Sequence, residues 1–468
     1  MMKDTSRRTI LKKGGAAGAA ATVGASSLVS GCVGDVAGGG GLKIGVIQPY
    51  SGDQPWGTKS TWGFLSGLGR VYGEDLTFRP ESSWAAGETL TFEPGDGDRT
   101  YEFLFRDTVF EPQNAEAAAE AFVLDENVDV LFGVATSSGT LRVIENVAKP
   151  TDTLYITGGA STMDMLEDPD LCGRKIFRAN EHTGMEARAM GKYIDEETSI
   201  ETMYLLGVDD PYGLSFTREY RKVLTERGIE VVGERHLPAG FGSFREVFTD
   251  IDDQAEGVAL GFSIRTINNV LSTFAEGNVS GTFDLRGYGP LPGSLGVSLM
   301  SGVRNALDEV TAESIKQEAG IGALTSRYHW NQYDNPINEE FVSGFVDSYG
   351  TVPALFAGGT YAAGSAVAQA VEETGSQDPN DVADAMYGMT VEETPKGEDG
   401  YVFQEHNNQA KSPMTVARIV PNDEGRWEDP LGTDDWNAPI MPGEPVARVS
   451  ADEAALPTDD QDMECDLR

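Results

Sequence analysis

Two α/β lobes, each a parallel sheet flanked by helices, are the fold class this sequence predicts. Three observations carry that expectation. Short apolar runs alternate with stretches of helical length from residue 42 onward, the pattern of strands buried on both faces. The alternation pauses after residue 157 and restarts near 203. The length of 468 residues is also too great for one hydrophobic core.

The elements follow in order. Residues 42–47 are an apolar run stopped by Pro49 and Ser51-Gly52, hence a buried strand entering a turn. A helical pattern covers 59–72. Residues 101–106 alternate as a strand, and 112–124 is an Ala/Glu-rich helix with proline in its first turn. Strands at 128–132 and 154–157 flank a helix at 141–148. In the second series 203–207, 229–232 and 258–261 are strands, with helices at 214–227, 244–254 and 266–276. Helices are expected at 338–349, 361–374 and 381–387, and a strand at 415–420. The insertion 81–99 is loop or hairpin. Beyond Arg426 the chain is rich in Pro, Gly and Asp, and 452–468 is expected to be a mobile tail.

Charge bounds the partners. With 75 acids against 35 Lys and Arg the formal charge is −40, spread along the chain, so nucleic acid and anionic lipid surfaces are poor partners. Self-repulsion of this size destabilises a compact state in dilute buffer, while at molar salt the Debye length falls to about 3 Å. A protein working in concentrated salt is expected.

The first residues are an address. Ser6-Arg7-Arg8-Thr9-Ile10-Leu11-Lys12 resembles the twin-arginine export motif, followed by a weakly apolar Ala/Gly run too poor to span a bilayer. Val29-Ser30-Gly31-Cys32 looks like a lipobox, with Cys32 lipidated as the first mature residue. Residues 1–31 are thus a leader and 32–41, with Gly38–Gly41, a flexible tether. Without the leader, 30 cations remain against 74 acids, a charge near −44. Of the three cysteines only Cys172 and Cys465 are left. An extracellular site permits a disulfide, but their separation in space is unknown and pairing stays open.

Enzyme signatures are absent. His182, His236, His329 and His406 form no metal spacing, and no nucleophile elbow or phosphate-binding loop occurs. Gly287-Tyr288-Gly289 begins like a dinucleotide fingerprint, yet Pro290 and Pro292 follow where a helix should open, so it reads as a turn. No enzyme activity, metal or cofactor is expected.

In open α/β sheets ligands bind beyond the carboxyl ends of strands. Four loops qualify: Pro49 to Gly57, Gly133 to Thr140, Thr157 to Thr162 and Val208 to Gly213. Ser137 and Ser138 stand at a helix start, where free N–H groups favour a carboxylate or carbonyl oxygen; the plainer reading of either is an N-cap.

The K-I-G-V-x-x-P-x-S-G opening, the Ser-Ser loop, the Gly-Gly-Ala-Ser loop, the D-x-x-Y-G turn and the Phe341 to Gly350 segment with its Tyr361-Ala362-Ala363 helix occur in order. Together they resemble the solute-binding proteins of ABC transporters, in the branched-chain amino acid, urea and amide family, over about 42–425. The resemblance implies a type I periplasmic-binding-protein-like fold of two lobes joined by three hinge crossovers, near 181, 326 and 391. Lobe 1 would be 42–181 and 327–390, lobe 2 would be 182–326 and 391–440, and 441–468 an acidic tail. It also implies that Ser137 and Ser138, with Gly159, Ala160 and Ser161, hold the ligand's polar head. Trp56 falls where the family often places an aromatic ring, and Tyr212 matches its second-lobe tyrosine. Another family tyrosine falls near Ser263. The loop that supplies an acid for an amino acid's ammonium corresponds to 286–290, around Tyr288, and carries no Asp or Glu. A plain amino acid is therefore less favoured unless Asp209 substitutes.

The expected function is a monomeric, lipid-anchored receptor on the outer face of the membrane. It would deliver a branched-chain amino acid, urea, amide or related carboxylate to ABC permease subunits. The alternative is a ligand-sensing protein on the same scaffold.

Overall fold

The computed structural model describes residues 41–51, 56–76, 89–95, 98–262, 264–290, 303, 305–398, 400–421, 440–458, 460 and 462–468, with backbone alone at Leu166, Ile264, Arg265 and Asn268. The expected leader, Cys32, most of the tether and Ser263 lie outside the described residues.

The first lobe is built on β1 (Leu42–Gln48), β2 (Thr89–Phe92), β3 (Tyr101–Asp107), β4 (Val130–Gly133), β5 (Leu154–Thr157) and β6 (Ile176–Arg178). Their spatial order is β2-β3-β1-β4-β5-β6, parallel except for the antiparallel edge strand β2, which is the described part of the expected loop or hairpin. Side chains alternate across the sheet as strand geometry demands. Val130 and Phe132 join one core with the helices Trp56–Val71 and Ala357–Thr374, while Leu131 joins the opposite core with Pro112–Leu124.

The second lobe uses β7 (Thr202–Val208), β8 (Glu230–Leu237), β9 (Gly257–Gly261), β10 (Arg286–Pro290) and β11 (Ile321–Ser326). The chain then returns to the first lobe. There β12 (Thr390–Val391), β13 (Tyr401–Phe403) and β14 (Ala410–Lys411) form a small antiparallel sheet. Finally β15 (Met414–Pro421) and β16 (Ile440–Val449) complete a seven-stranded sheet of order β16-β15-β11-β10-β9-β7-β8, parallel from β11 to β8.

Three differences from the sequence reading have physical causes. The 391–411 segment belongs with the first lobe, because Val391, Tyr401, Phe403 and Ala410 pack into its core; the third crossover therefore lies at Ser412 rather than near 391. Residues 286–290 are not a turn but strand β10, in which Gly287 leaves room for Phe274 and Tyr288 packs inward. Residues 441–449 are strand, and the following segment is anchored rather than a free tail. It runs from the second lobe to the first, where Leu456 is buried, the Leu467 N–H donates to the His406 carbonyl at 2.8 Å, and Cys465 is bonded to Cys172 with Cα atoms 6.3 Å apart. The pairing that the sequence left open is made.

Candidate functional site

Parallel strands deliver their following loops to one edge, so β4, β5 and β7 all send chain into the cleft between the lobes. After β4, Thr136 caps the helix Ser137–Val143, its Oγ1 accepting the Gly139 N–H at 3.3 Å. The cap is thus Thr136, not either serine. Ser137 Oγ accepts the N–H groups of Ser161 at 3.4 Å and Thr162 at 3.2 Å, clamping the loop after β5 against the loop after β4. The Ser138 hydroxyl has no partner among the described residues. Ser161 Oγ donates to the Gly159 carbonyl at 3.3 Å, and a Cβ on Gly159 would come within 3.0 Å of Ala135 Cα, so the two loops meet closely.

From the other lobe, Asp210 caps the helix Pro211–Glu226 by accepting the Gly213 N–H at 2.9 Å, which sets Tyr212 in the first turn. Trp56 opens the helix Trp56–Val71 and meets Phe356 edge to face, ring centroids 5.1 Å apart at 87°.

These groups enclose a cavity of about 260 Å³. Trp56, Ser137, Ser138, Gly159, Ser161 and Tyr212 all line it. Three other expected residues do not. Ala160 is buried behind the loop, its carbonyl accepting from Asn180 Nδ2 at 2.8 Å. Asp209 is exposed, and the acid on the cavity is its neighbour Asp210. Tyr288 is 3% exposed in the second-lobe core, because β10 turns it inward.

The sequence reading missed Phe110, Phe262, Leu355, Phe356 and Arg327, which also line the cavity. Arg327 immediately follows β11, whose run Ile-Gly-Ala-Leu-Thr-Ser carries the apolar signal of a strand. Its Nε donates to Glu186 Oε1 at 2.6 Å. At the other crossovers Lys396 Nζ donates to Glu181 Oε1 at 2.5 Å and to the Pro413 carbonyl at 2.6 Å, and Ser412 Oγ donates to the same carboxylate oxygen at 2.6 Å. All three crossovers are therefore tied by buried ionic groups. Burial raises the Glu186 carboxyl and lowers the Lys396 ammonium, each against the pull of its partner. His182, between Glu181 and Glu186 in sequence, is held well below its ordinary value by burial and by Arg178, Arg188 and Arg327. Among the described residues no cluster of His, Cys, Asp and Glu is arranged to hold a metal.

The model of the periplasmic binding protein family matches residues 41–425. The chain belongs to the periplasmic binding protein family. Within it, the leucine-, isoleucine-, valine-, threonine- and alanine-binding protein of Pseudomonas aeruginosa is 25% identical over 304 residues, 64% of this chain and 74% of the relative. A periplasmic binding protein from Burkholderia mallei superposes with a TM-score of 0.68 at 17% identity, over 92% of this chain and all of that one (100%). An ABC-transporter solute-binding protein from Rhodopseudomonas palustris HaA2, in complex with p-hydroxybenzoic acid, gives 0.67 at 16% identity, over 88% and 98% of the two chains. The family consists of binding proteins, and the two-lobed type I architecture is shared. No helix among the described residues is long and apolar enough to cross a membrane.

Proposed function

We propose that this chain is the exported, lipid-anchored solute receptor of an ABC importer, capturing a small solute with a polar head between two closing lobes. The observation that carries the reading is the cleft itself. Hydroxyl and backbone groups from the Ser137 and Ser161 loops of one lobe face Tyr212 of the other across a cavity whose walls include Trp56, Phe262 and Phe356. A solute touching both walls favours the closed arrangement by its extra contacts, which is capture by population shift. The relatives that bind amino acids or p-hydroxybenzoic acid hold small solutes with a carboxylate, in keeping with this site. Twin-arginine residues Arg7-Arg8, Cys32 and the Gly-rich tether support export and anchoring, and the likeness to ABC-transporter solute-binding proteins supports a permease as the partner.

Thermal melts in molar KCl test capture. Leucine, valine, urea, acetamide, benzoate and 4-hydroxybenzoate are added in turn. A bound solute at 100 times its Kd stabilises the protein by about 2.7 kcal/mol. At least one is expected to raise Tm, and a flat series refutes the reading. For the anchor, Cys32→Ala is expected to move the protein from the membrane fraction into the medium; unchanged partitioning refutes it.

A further inference from the structure

We propose that the solute is an organic carboxylate with an apolar, aromatic-sized body and no ammonium group, and that Arg327 recognises its charge. This deepens the receptor reading above and rests on it.

Arg327 is 6% exposed, stands on the crossover out of β11, and lines the cavity. Its Nε bond to Glu186 fixes the plane of the guanidinium. Its two terminal amino groups find no acceptor among the described residues. The guanidinium carbon lies 5.7 Å from the centre of the Phe356 ring, and its charge acts on the Tyr212 hydroxyl; both residues are cavity walls. Buried donors left unmatched are costly, and a carboxylate accepts two of them in parallel. The unmatched terminal amino groups therefore point to the ligand.

The sign of the interior agrees. The whole chain carries −40, yet the buried Lys, Arg, Asp and Glu side chains among the described residues are four cations, Lys59, Arg178, Arg327 and Lys396, against three carboxylates, Glu181, Glu186 and Glu219. Burial raises Glu186 and Glu219 further toward the neutral acid, while Arg178, brought down to about 9 by burial and by Arg327, stays protonated at neutral pH. Among the described residues that line the cavity Arg327 is the one cation, so it is the group an entering anion would meet.

The rest of the cavity rejects a second charge. Trp56, Phe110, Phe262, Leu355 and Phe356 supply an apolar wall that fits a ring. Of the two acids on the cavity, Asp210 is engaged in capping its own helix and raised by burial, and Glu111 is exposed at the mouth. An ammonium would have no dedicated carboxylate, and desolvating it would oppose binding.

The test is a titration of the protein in molar KCl, followed by calorimetry, with benzoate, 4-hydroxybenzoate, benzamide and leucine. Benzoate or 4-hydroxybenzoate is expected to bind, with benzamide, its neutral isostere, about 100-fold weaker. Arg327→Gln is expected to bring that ratio within about tenfold. Glu186→Gln, which keeps an acceptor for Nε, is expected to retain the preference that Glu186→Leu loses. Should Arg327→Gln fail to fold, the benzoate-to-benzamide ratio of the unaltered protein decides alone. Equal affinity for the two, or unchanged benzoate affinity in Arg327→Gln, overturns the inference. Equal ratios in the two Glu186 variants overturn the positioning role. Binding of leucine without either benzoate overturns the ligand class but leaves the receptor reading standing; binding of none of the four probes overturns the ligand class, and the urea and acetamide melts then decide the receptor reading.

Discussion

Ser137 and Ser138 are neighbours with different work. Ser137 Oγ satisfies two backbone N–H groups of the facing loop, whereas the Ser138 hydroxyl looks onto the cavity. Ser137→Ala is therefore expected to cost about 1–3 kcal/mol of stability in a denaturant titration, because it orphans buried donors, and to weaken solute binding as well. Ser138→Ala should leave the ligand-free melt unchanged and reduce affinity alone. A second residue-scale effect concerns acid. His329 is 3% exposed, with Nδ1 2.7 Å from Asn331 Oδ1, and burial holds its imidazole down to about 4. The unfolded imidazole takes up its proton near 6.5, so between these values the unfolded state binds more protons. Stability present above pH 6.5 is thus lost as pH falls toward 4, by up to ~3 kcal/mol. Glu167 acts in the opposite sense: burial raises it to about 7, so its contribution falls as pH rises from 4.5 to 7. Urea melts across pH 4–8 should become flatter on the acid side in His329→Gln and on the neutral side in Glu167→Gln. The sequence, in which His329 reads only as one of four histidines without metal spacing, carries no hint of this, since burial of a lone polar side chain is decided by distant chain.

At the scale of elements, the site depends on how closely two helices pack. Trp56–Val71 and Ala357–Thr374 approach so near that a Cβ on Gly67 would lie 2.0 Å from the Tyr361 carbonyl oxygen, and one on Gly364 would lie 2.0 Å from that of Phe64. Only glycine permits that approach, because the obstacle in each case is backbone. The pair brings Trp56, at the start of one helix, against Phe356, the residue before the other, and so forms an apolar wall of the cavity. Gly67→Ala and Gly364→Ala are each expected to destabilise by about 1–3 kcal/mol through forced separation. They should also quench or shift any ligand-dependent Trp56 fluorescence. Thermal melts and fluorescence titrations check both. The helix of residues 338–349 and the helix of 361–374 were legible from apolar periodicity, and the strands of the first lobe from short apolar runs. Strand β10 was not, because Gly-Tyr-Gly-Pro has the composition of a turn and becomes a strand only by pairing with β9 and β11.

For the whole molecule the C-terminal segment acts as a strap. Lys222 Nζ donates to Asp460 at 2.6 Å and Lys192 to Glu453 at 3.0 Å on the second lobe, and the Cys172–Cys465 bond fixes the end to the first, across a separation of 293 residues. Cys465→Ser or chemical reduction is expected to lower stability by about 2–5 kcal/mol, read as a drop in Tm relative to the oxidised protein. Salt should act on the entire surface: with −40 to screen, Tm is expected to rise from dilute buffer to molar KCl, and a fall would refute the halophilic reading. The sequence by itself determined the α/β class, the family likeness, the acidic surface and the hydroxyl-bearing loops, because strand runs, loop chemistry and charge are local properties. Only the tertiary structure decided that Asp210 rather than Asp209 reaches the cleft, that Tyr288 turns into the core, that the two cysteines join, and that Arg327 stands buried at the hinge with its terminal amino groups unmatched among the described residues. Those outcomes depend on which residues meet across hundreds of positions, and no local pattern encodes such a meeting.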